Sequence, residues 1–230
     1  MMQIESWNGI TCLCCDEIPE NRTEWLEQDV DFVQCSIKPS DTQAAEWLSA
    51  HGFFFADRKL DVRVKVQRAK ERAKYRFQVG YESQPYDAAQ REKINEILCE
   101  AFTHDRRFHL RQHYDKQLAG EILEAYCGFA ENSGMERIVC RYRDEMIGCM
   151  YLKKTKEGYF VYLAAVHPAY QGTGAAVELY QEAVSFCKRR NGMVLSGNIS
   201  SSNTGVMNIY AQLGGTFYRE TDIYLYEKKG

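Results

Sequence analysis

The sequence predicts an α/β protein, a mixed and mostly antiparallel sheet flanked by helices, preceded by a smaller α/β unit. Three observations predict it. From residue 73 onward, period-two apolar stretches and helical stripes follow one another in the order β-α-α-β-β-β-α-β-α-β-β. A glycine-rich turn, Gln171-Gly172-Thr173-Gly174-Ala175-Ala176, lies between a strand and a helix. The third is an echo at a spacing of 162, which sets Ile37, Ser40, Thr42, Gly52 and Phe55 over Ile199, Ser202, Thr204, Gly214 and Phe217.

The smaller unit is assigned to residues 1–72. Phe32 to Ile37 places Val33, Cys35 and Ile37 on one face of a strand. Ser40 and Gln43 have the spacing of a capping box for a helix reaching about His51, and Gly52 stops it. Leu60, Val62, Val64 and Val66 then alternate with Lys59, Asp61, Arg63 and Lys65, the pattern of a strand with one wet face. Between Asp57 and Arg76 stand nine Lys/Arg against three Asp/Glu. Charges alternating along a strand and linker solvate it and block edge pairing, so this run is read as a solvated face rather than an anion patch.

The larger unit is assigned to residues 73–230. Tyr75 to Val79 reads as a strand, and after Pro85 a helix opened by Asp87 carries Ile94, Ile97, Leu98, Ala101 and Phe102 on one stripe. A second helix carries Leu118, Ile122, Tyr126 and Phe129. Three strands follow as a meander, Arg137 to Tyr142, Met146 to Leu152 and Tyr159 to Val166, joined at Arg143-Asp144-Glu145 and at Lys154 to Gly158. Past the glycine turn come a helix with Val177, Tyr180, Ala183, Val184 and Cys187, a strand from Met193 to Ile199, a helix from about Thr204 to Leu213, and a terminal strand pair. The echo reads as a truncated duplicate, although caps and glycine stops recur wherever helices end. Leu48 falls where Tyr210 stands, so the first copy lacks that hydroxyl.

Composition narrows the function. With 230 residues, 45% of them hydrophobic, and a formal charge of -3, the chain can bury a core and offers no whole-protein field for a polyanion. Nucleic-acid and membrane partners are therefore not expected. The start, MMQIESWNGI, lacks a basic stretch followed by an apolar run, and a cytoplasmic location is expected. Nine cysteines, an odd number and mostly scattered, suit a reducing compartment. Cys12, Cys14 and Cys15 cluster without a second Cys/His pair at ligand spacing, so no metal is expected. His109 and His113, four apart, fit an active-site rim or the surface better than a zinc site.

The glycine turn carries the chemistry. Small residues between strand and helix let the backbone turn tightly and present successive amides at a helix amino terminus, a seat for pyrophosphate. The dinucleotide fingerprint wants a third glycine where Val177 stands, and the nucleotide P-loop wants Lys then Ser/Thr; neither is here. The turn resembles the Arg/Gln-x-x-Gly-x-Gly/Ala motif of the GCN5-related N-acetyltransferase (GNAT) family. The resemblance includes Val166-His167-Pro168 before it and Asn203, Ile209-Tyr210 and Leu213-Gly214 after it, and covers roughly residues 73–230. It departs at Gly215, where an aromatic is commoner. Within the family the chain is most similar to the TDP-fucosamine acetyltransferase group, through Ser40 to Phe55, Ala101-Phe102 to Arg107-Phe108, and Ser202-Asn203-Thr204.

The resemblance implies the GNAT acyl-CoA N-acyltransferase fold preceded by a partial GNAT-like domain, and acetyl-CoA as co-substrate. It implies that pantetheine pairs along Leu163, Ala164 and Val166, that Gln171, Gly172, Thr173, Gly174, Ala175 and Ala176 cradle the diphosphate, and that Asn203 binds the arm or caps its helix. Tyr210 is implied as the general acid. The acceptor implied is a small primary amine, a nucleotide-linked amino sugar. His104, Asp105, His109 and His113 border the acceptor region by position, and none is singled out as base. Two alternatives stay open: a protein or amino-acid N-acetyltransferase, and a non-catalytic acyl-CoA-binding module. Homodimerisation is compatible with all three.

Overall fold

The computed structural model describes residues 2–7, 10–16, 18, 29–69, 76–83, 87–102 and 116–227. It is an α/β structure with a large, mostly antiparallel sheet and flanking helices, as expected. Two compact units divide it: Met1–Leu60 with Ser200–Ser202 and Arg219–Gly230, and Asp61–Ile199 with Asn203–Tyr218.

In the first unit, β1 (Met2–Trp7) and β2 (Ile10–Cys15) form an antiparallel hairpin that the sequence reading does not foresee. β2 runs parallel to β3 (Phe32–Ile37), from Cys12↔Phe32 to Cys15↔Cys35. β10 (Thr216–Glu227) pairs antiparallel with β3, and the order in this unit is β1-β2-β3-β10-β4, with β4 at Phe54–Lys65. Val33, Cys35 and Ile37 are buried as their alternation requires, together with Leu13, Cys15, Leu48 and Phe53. α1 (Thr42–Ala50) is capped by Asp41, whose carboxylate accepts from the Ala44 amide at 3.0 Å. The cap expected at Ser40 is thus one residue off, because it is the residue immediately before the first helical position whose side chain reaches the third amide. Arg58 clamps Asp222 with two bonds of 2.6 and 2.8 Å. The clustered cysteines divide between strand faces: Cys15 shares the core with Cys35, while Cys12 and Cys14 contact each other at 3.9 Å.

In the second unit the order is β10-β4-β9-β8-β7-β6-β5. β5 (Gln78–Tyr81), β6 (Glu136–Tyr142), β7 (Glu145–Lys154) and β8 (Gly158–Val166) are antiparallel neighbours. β9 (Val194–Ser200) runs parallel to β8. β5 begins three residues later than the expected strand, whose first residue Tyr75 lies outside the described residues. α2 (Ala88–Ala101) has a full capping box from Asp87 and Gln90. With α3 (Lys116–Asn132) it buries one face, Ile94, Leu98 and Leu123 packing on Val139, Cys149, Tyr151, Leu163 and Ala165. α4 (Ala175–Arg189) lies against β5 to β8, its Phe186 ring meeting Tyr81 and Tyr159. The expected terminal strand pair is instead one strand, β10. Its polar stretch Arg219-Glu220-Thr221 is part of that continuous strand.

The echo is structural. Moved by 162 positions, α1 falls on α5 (Thr204–Gln212) and β4 on β10, residue for residue, while β3 falls within β9. Asp41 and Asn203 coincide as caps, each accepting from the third helical amide, Ala44 or Val206. The positions paired in a parallel ladder also coincide on β3 and β9, Phe32–Cys35 with Val194–Gly197, while their partner strands lie outside the 162 spacing. β10 lies beside β3 and β4 beside β9, so each copy's last strand pairs with the other copy's preceding strand.

Candidate active site

A register slip in β8 starts the site. Tyr151 faces Leu163 while Leu152 faces Val161, so Tyr162 is an extra residue that bulges the strand and turns its later side chains to the other face. Val161 is also where the parallel ladder with β9 ends, at Gly197. Beyond it, among the described residues, β8 continues from Leu163 to Val166 against β7 only. The strand pair therefore forks. One edge of the Leu163–Val166 backbone faces the gap, with the side chains of Leu163 and Val166 buried on either side of the sheet.

The chain leaves the fork through Val166 into the glycine turn. His167 caps a short 3₁₀ turn (Pro168–Tyr170), its Nδ1 accepting from the Ala169 amide at 3.2 Å. Its Nε2 lies 3.0 Å from Glu100 and 3.8 Å from Glu96 on α2. Gln171 ties the turn to the strand end, its side-chain amide donating to the Val166 carbonyl at 3.3 Å. The Thr173 hydroxyl donates to the Tyr170 carbonyl at 2.6 Å. Gly172 and Gly174 have φ of 76° and 99°, and a methyl at either would meet nothing within 4 Å. Glycine is required there by backbone conformation, and the space beside it is open. The first bond within α4 runs from the Glu178 amide to the Gly174 carbonyl. The amides of Ala175, Ala176 and Val177 stand ahead of it at the positive end of the helix.

Glu178 fixes this helix start from behind. It is 3% exposed, and its two carboxylate oxygens accept from the Arg76 and Phe77 amides at 2.9 Å each. Among the described residues, Glu96, Glu100 and His167 have donor atoms close enough to share a cation, all within 4.8 Å. Lys93 already binds both oxygens of Glu96 at 3.1 Å, so the group is held as an ion-pair cluster.

α5 carries the other two expected residues. Asn203 caps it, Oδ1 accepting from Val206 at 3.1 Å, which leaves its Nδ2 outside the cap. Tyr210, seven residues on, is fully buried, and its hydroxyl has no hydrogen-bond partner. That hydroxyl is aimed at Gly197, the last paired residue of β9. Burial raises the Tyr210 phenol well above its ordinary range, with Tyr180 adding to the effect. Gly215 donates to the Tyr210 carbonyl at 2.8 Å, and a β-carbon there would come as close as that to the same oxygen. The sequence reading misses Gly197, Tyr180 and Glu178. A glycine inside a strand was the one available signal. His104, Asp105, His109 and His113 lie outside the described residues.

Residues 91–215, more than half of the chain, match the Acetyltransferase (GNAT) family. The chain belongs to that family. GNAT enzymes use acetyl-CoA as co-substrate. Solved GNAT structures share its fold. A GCN5-related N-acetyltransferase from Sphaerobacter thermophilus is 14% identical with a TM-score of 0.58, over 85% of this chain and 59% of that one. The chain thus spans well under two thirds of that protein. A tandem GNAT protein from the clavulanic acid biosynthesis pathway is 12% identical with a TM-score of 0.63, over 100% of this chain and 79% of that one. A GCN5-related glucosamine N-acetyltransferase region in a fungal multi-domain β-N-acetylglucosaminidase is 12% identical, TM-score 0.63, over 98% of this chain and 31% of that one. None of the curated proteins matches at significant similarity. No helix among the described residues is long and apolar enough to cross a membrane.

Proposed function

We propose that this GNAT chain moves the acetyl group of acetyl-CoA to the primary amine of a small acceptor, a nucleotide-linked amino sugar, with Tyr210 as general acid. The observation that carries the reading is the fork at Val161↔Gly197, which presents an unpaired strand edge, an amide-lined turn and a sealed phenol in sequence. An extended amide chain such as pantetheine fits the Leu163–Val166 edge as an added strand, with Ala164 between them and the Asn203 Nδ2 available to the arm. The amides from Gly172 to Ala176 and the dipole of α4 suit the diphosphate. The Gln171 and Thr173 side chains act by bracing that turn.

The neutral amine attacks the thioester carbonyl directly, since binding both reactants in one cleft replaces a bimolecular encounter. A backbone amide of the forked strand holds the oxyanion. Collapse forms the N–C bond and breaks the C–S bond. Tyr210 gives its proton to the departing sulfur and regains one from solvent, while the amine's surplus proton leaves to solvent. Burial keeps the phenol protonated through neutral pH, the form a general acid needs. The similarity to the TDP-fucosamine acetyltransferase group and the glucosamine N-acetyltransferase region among the solved structures support the amino-sugar class.

An amine panel followed by free-thiol release tests this: 4-amino and 3-amino nucleotide sugars, glucosamine, polyamines and peptides. Turnover is expected with the nucleotide sugars. Turnover confined to peptides overturns the acceptor, and acetyl-CoA binding without thiol release from any amine overturns the catalytic reading.

A further inference from the structure

The Tyr210 phenol is seated by two residues that no known role explains. Gly197 has no side chain where the hydroxyl lies: a β-carbon there would stand 2.2 Å from the Tyr210 oxygen and 3.1 Å from its ring carbon Cζ. Any other residue on β9 at this point displaces the phenol from the end of the β8–β9 ladder. Tyr180, on α4 and 5% exposed, meets the Tyr210 ring edge-on, with centroids 5.2 Å apart at 74°. Among the described residues, each phenol is the ionisable group that acts on the other. The Tyr180 hydroxyl acts on that of Tyr210 both through charge and as a hydrogen-bonding neighbour, although the pair falls short of full hydrogen-bond geometry. The phenol is thus oriented by a ring set edge-on, a neighbouring hydroxyl and a strand position without a side chain.

We infer that Tyr180 and Gly197 are positioning residues for the reaction, holding the Tyr210 hydroxyl at the mouth of the strand fork where the departing sulfur needs its proton. Gly197 does so by vacating space. Tyr180 fixes the ring and supplies the neighbouring hydroxyl that Tyr210 feels. This rests on the reading of Tyr210 as general acid, and the experiment separates the two.

The full chain is assayed as wild type, Tyr180→Phe, Gly197→Ala, Tyr210→Phe and both double variants with Tyr210→Phe. Steady-state kcat and the KM for acetyl-CoA are measured from pH 6 to 10. Tyr180→Phe keeps the ring and loses only the hydroxyl; kcat is expected to fall about fivefold, the worth of one lost polar contact, with KM unchanged. Gly197→Ala is expected to lower kcat at least about tenfold, as a small displacement of a catalytic group does. In the Tyr210→Phe background neither change should lower kcat further. Full activity in Tyr210→Phe sinks the general acid itself. A slow Tyr210→Phe beside a Tyr180→Phe with wild-type rate overturns the positioning role while the acid stands. Losses that simply multiply in the double variants overturn it too.

Discussion

A hydroxyl sealed from water without a partner costs a fold about 1–3 kcal/mol, and Tyr210 carries one. Tyr210→Phe is accordingly expected to hold or raise the melting temperature while turnover falls about 10²-fold, the usual contribution of a positioned acid. Calorimetry and thiol-release kinetics on one preparation check both halves; a less stable variant of unchanged rate would contradict them. Glu178 presents the opposite case. Its carboxylate accepts from the buried Phe77 amide and from the amide of exposed Arg76, so Glu178→Ala should cost about 1–3 kcal/mol in urea unfolding by stranding the Phe77 donor. At this scale the sequence offered Tyr210 as the proposed acid through the family resemblance and its spacing from Asn203. It hid Tyr180, which on a helical stripe looks like any core aromatic, and Gly197, whose neighbour is thirteen residues away and known only once strand and helix are packed.

The glycine turn acts as an element, since what it offers is backbone. Gly174 starts α4 in a left-handed conformation with open space beside it, so a methyl there strains the turn without a clash. Holding a non-glycine residue in such a region costs about 1–3 kcal/mol, and relaxation would swing the helix amides away. Gly174→Ala is expected to raise the KM for acetyl-CoA about tenfold with kcat nearly kept, by the same arithmetic of misplaced donors. A fall in kcat at constant KM would show the turn acting on chemistry instead. Most elements were readable, because apolar period and stops agree along the meander and α4. The failures have local causes. Asp41 displaces Ser40 as cap, solvated residues conceal that β10 is unbroken, and a one-residue bulge at Tyr162 leaves no compositional mark.

For the whole molecule, buried thiols set the alkaline limit. Burial pushes Cys187 up to about 11 and Cys140 up to about 12, from an ordinary value near 9. The folded state holds these protons more tightly, so their contribution is complete below about pH 8.5 and is lost as pH rises through 11 to 12. The urea midpoint should therefore be flat from pH 7 to 8 and clearly lower by pH 10; an equal midpoint at pH 10 would contradict it. Acetyl-CoA at about a hundred times its Kd should add about 2.7 kcal/mol by binding the native state alone, visible as a higher melting temperature. The echo was legible as five matched residues, and in the structure whole elements recur at the same spacing.

The crossed closing strands of the two copies bear on any attempt to shorten the protein. A chain started at residue 54 would keep every residue of the GNAT match yet strip β3 from Asp222–Glu227, baring a ladder edge that invites self-pairing. The front segment is a permanent splint for the enzyme's final strand, and a minimal soluble catalyst has to be sought by point substitution, not by truncation.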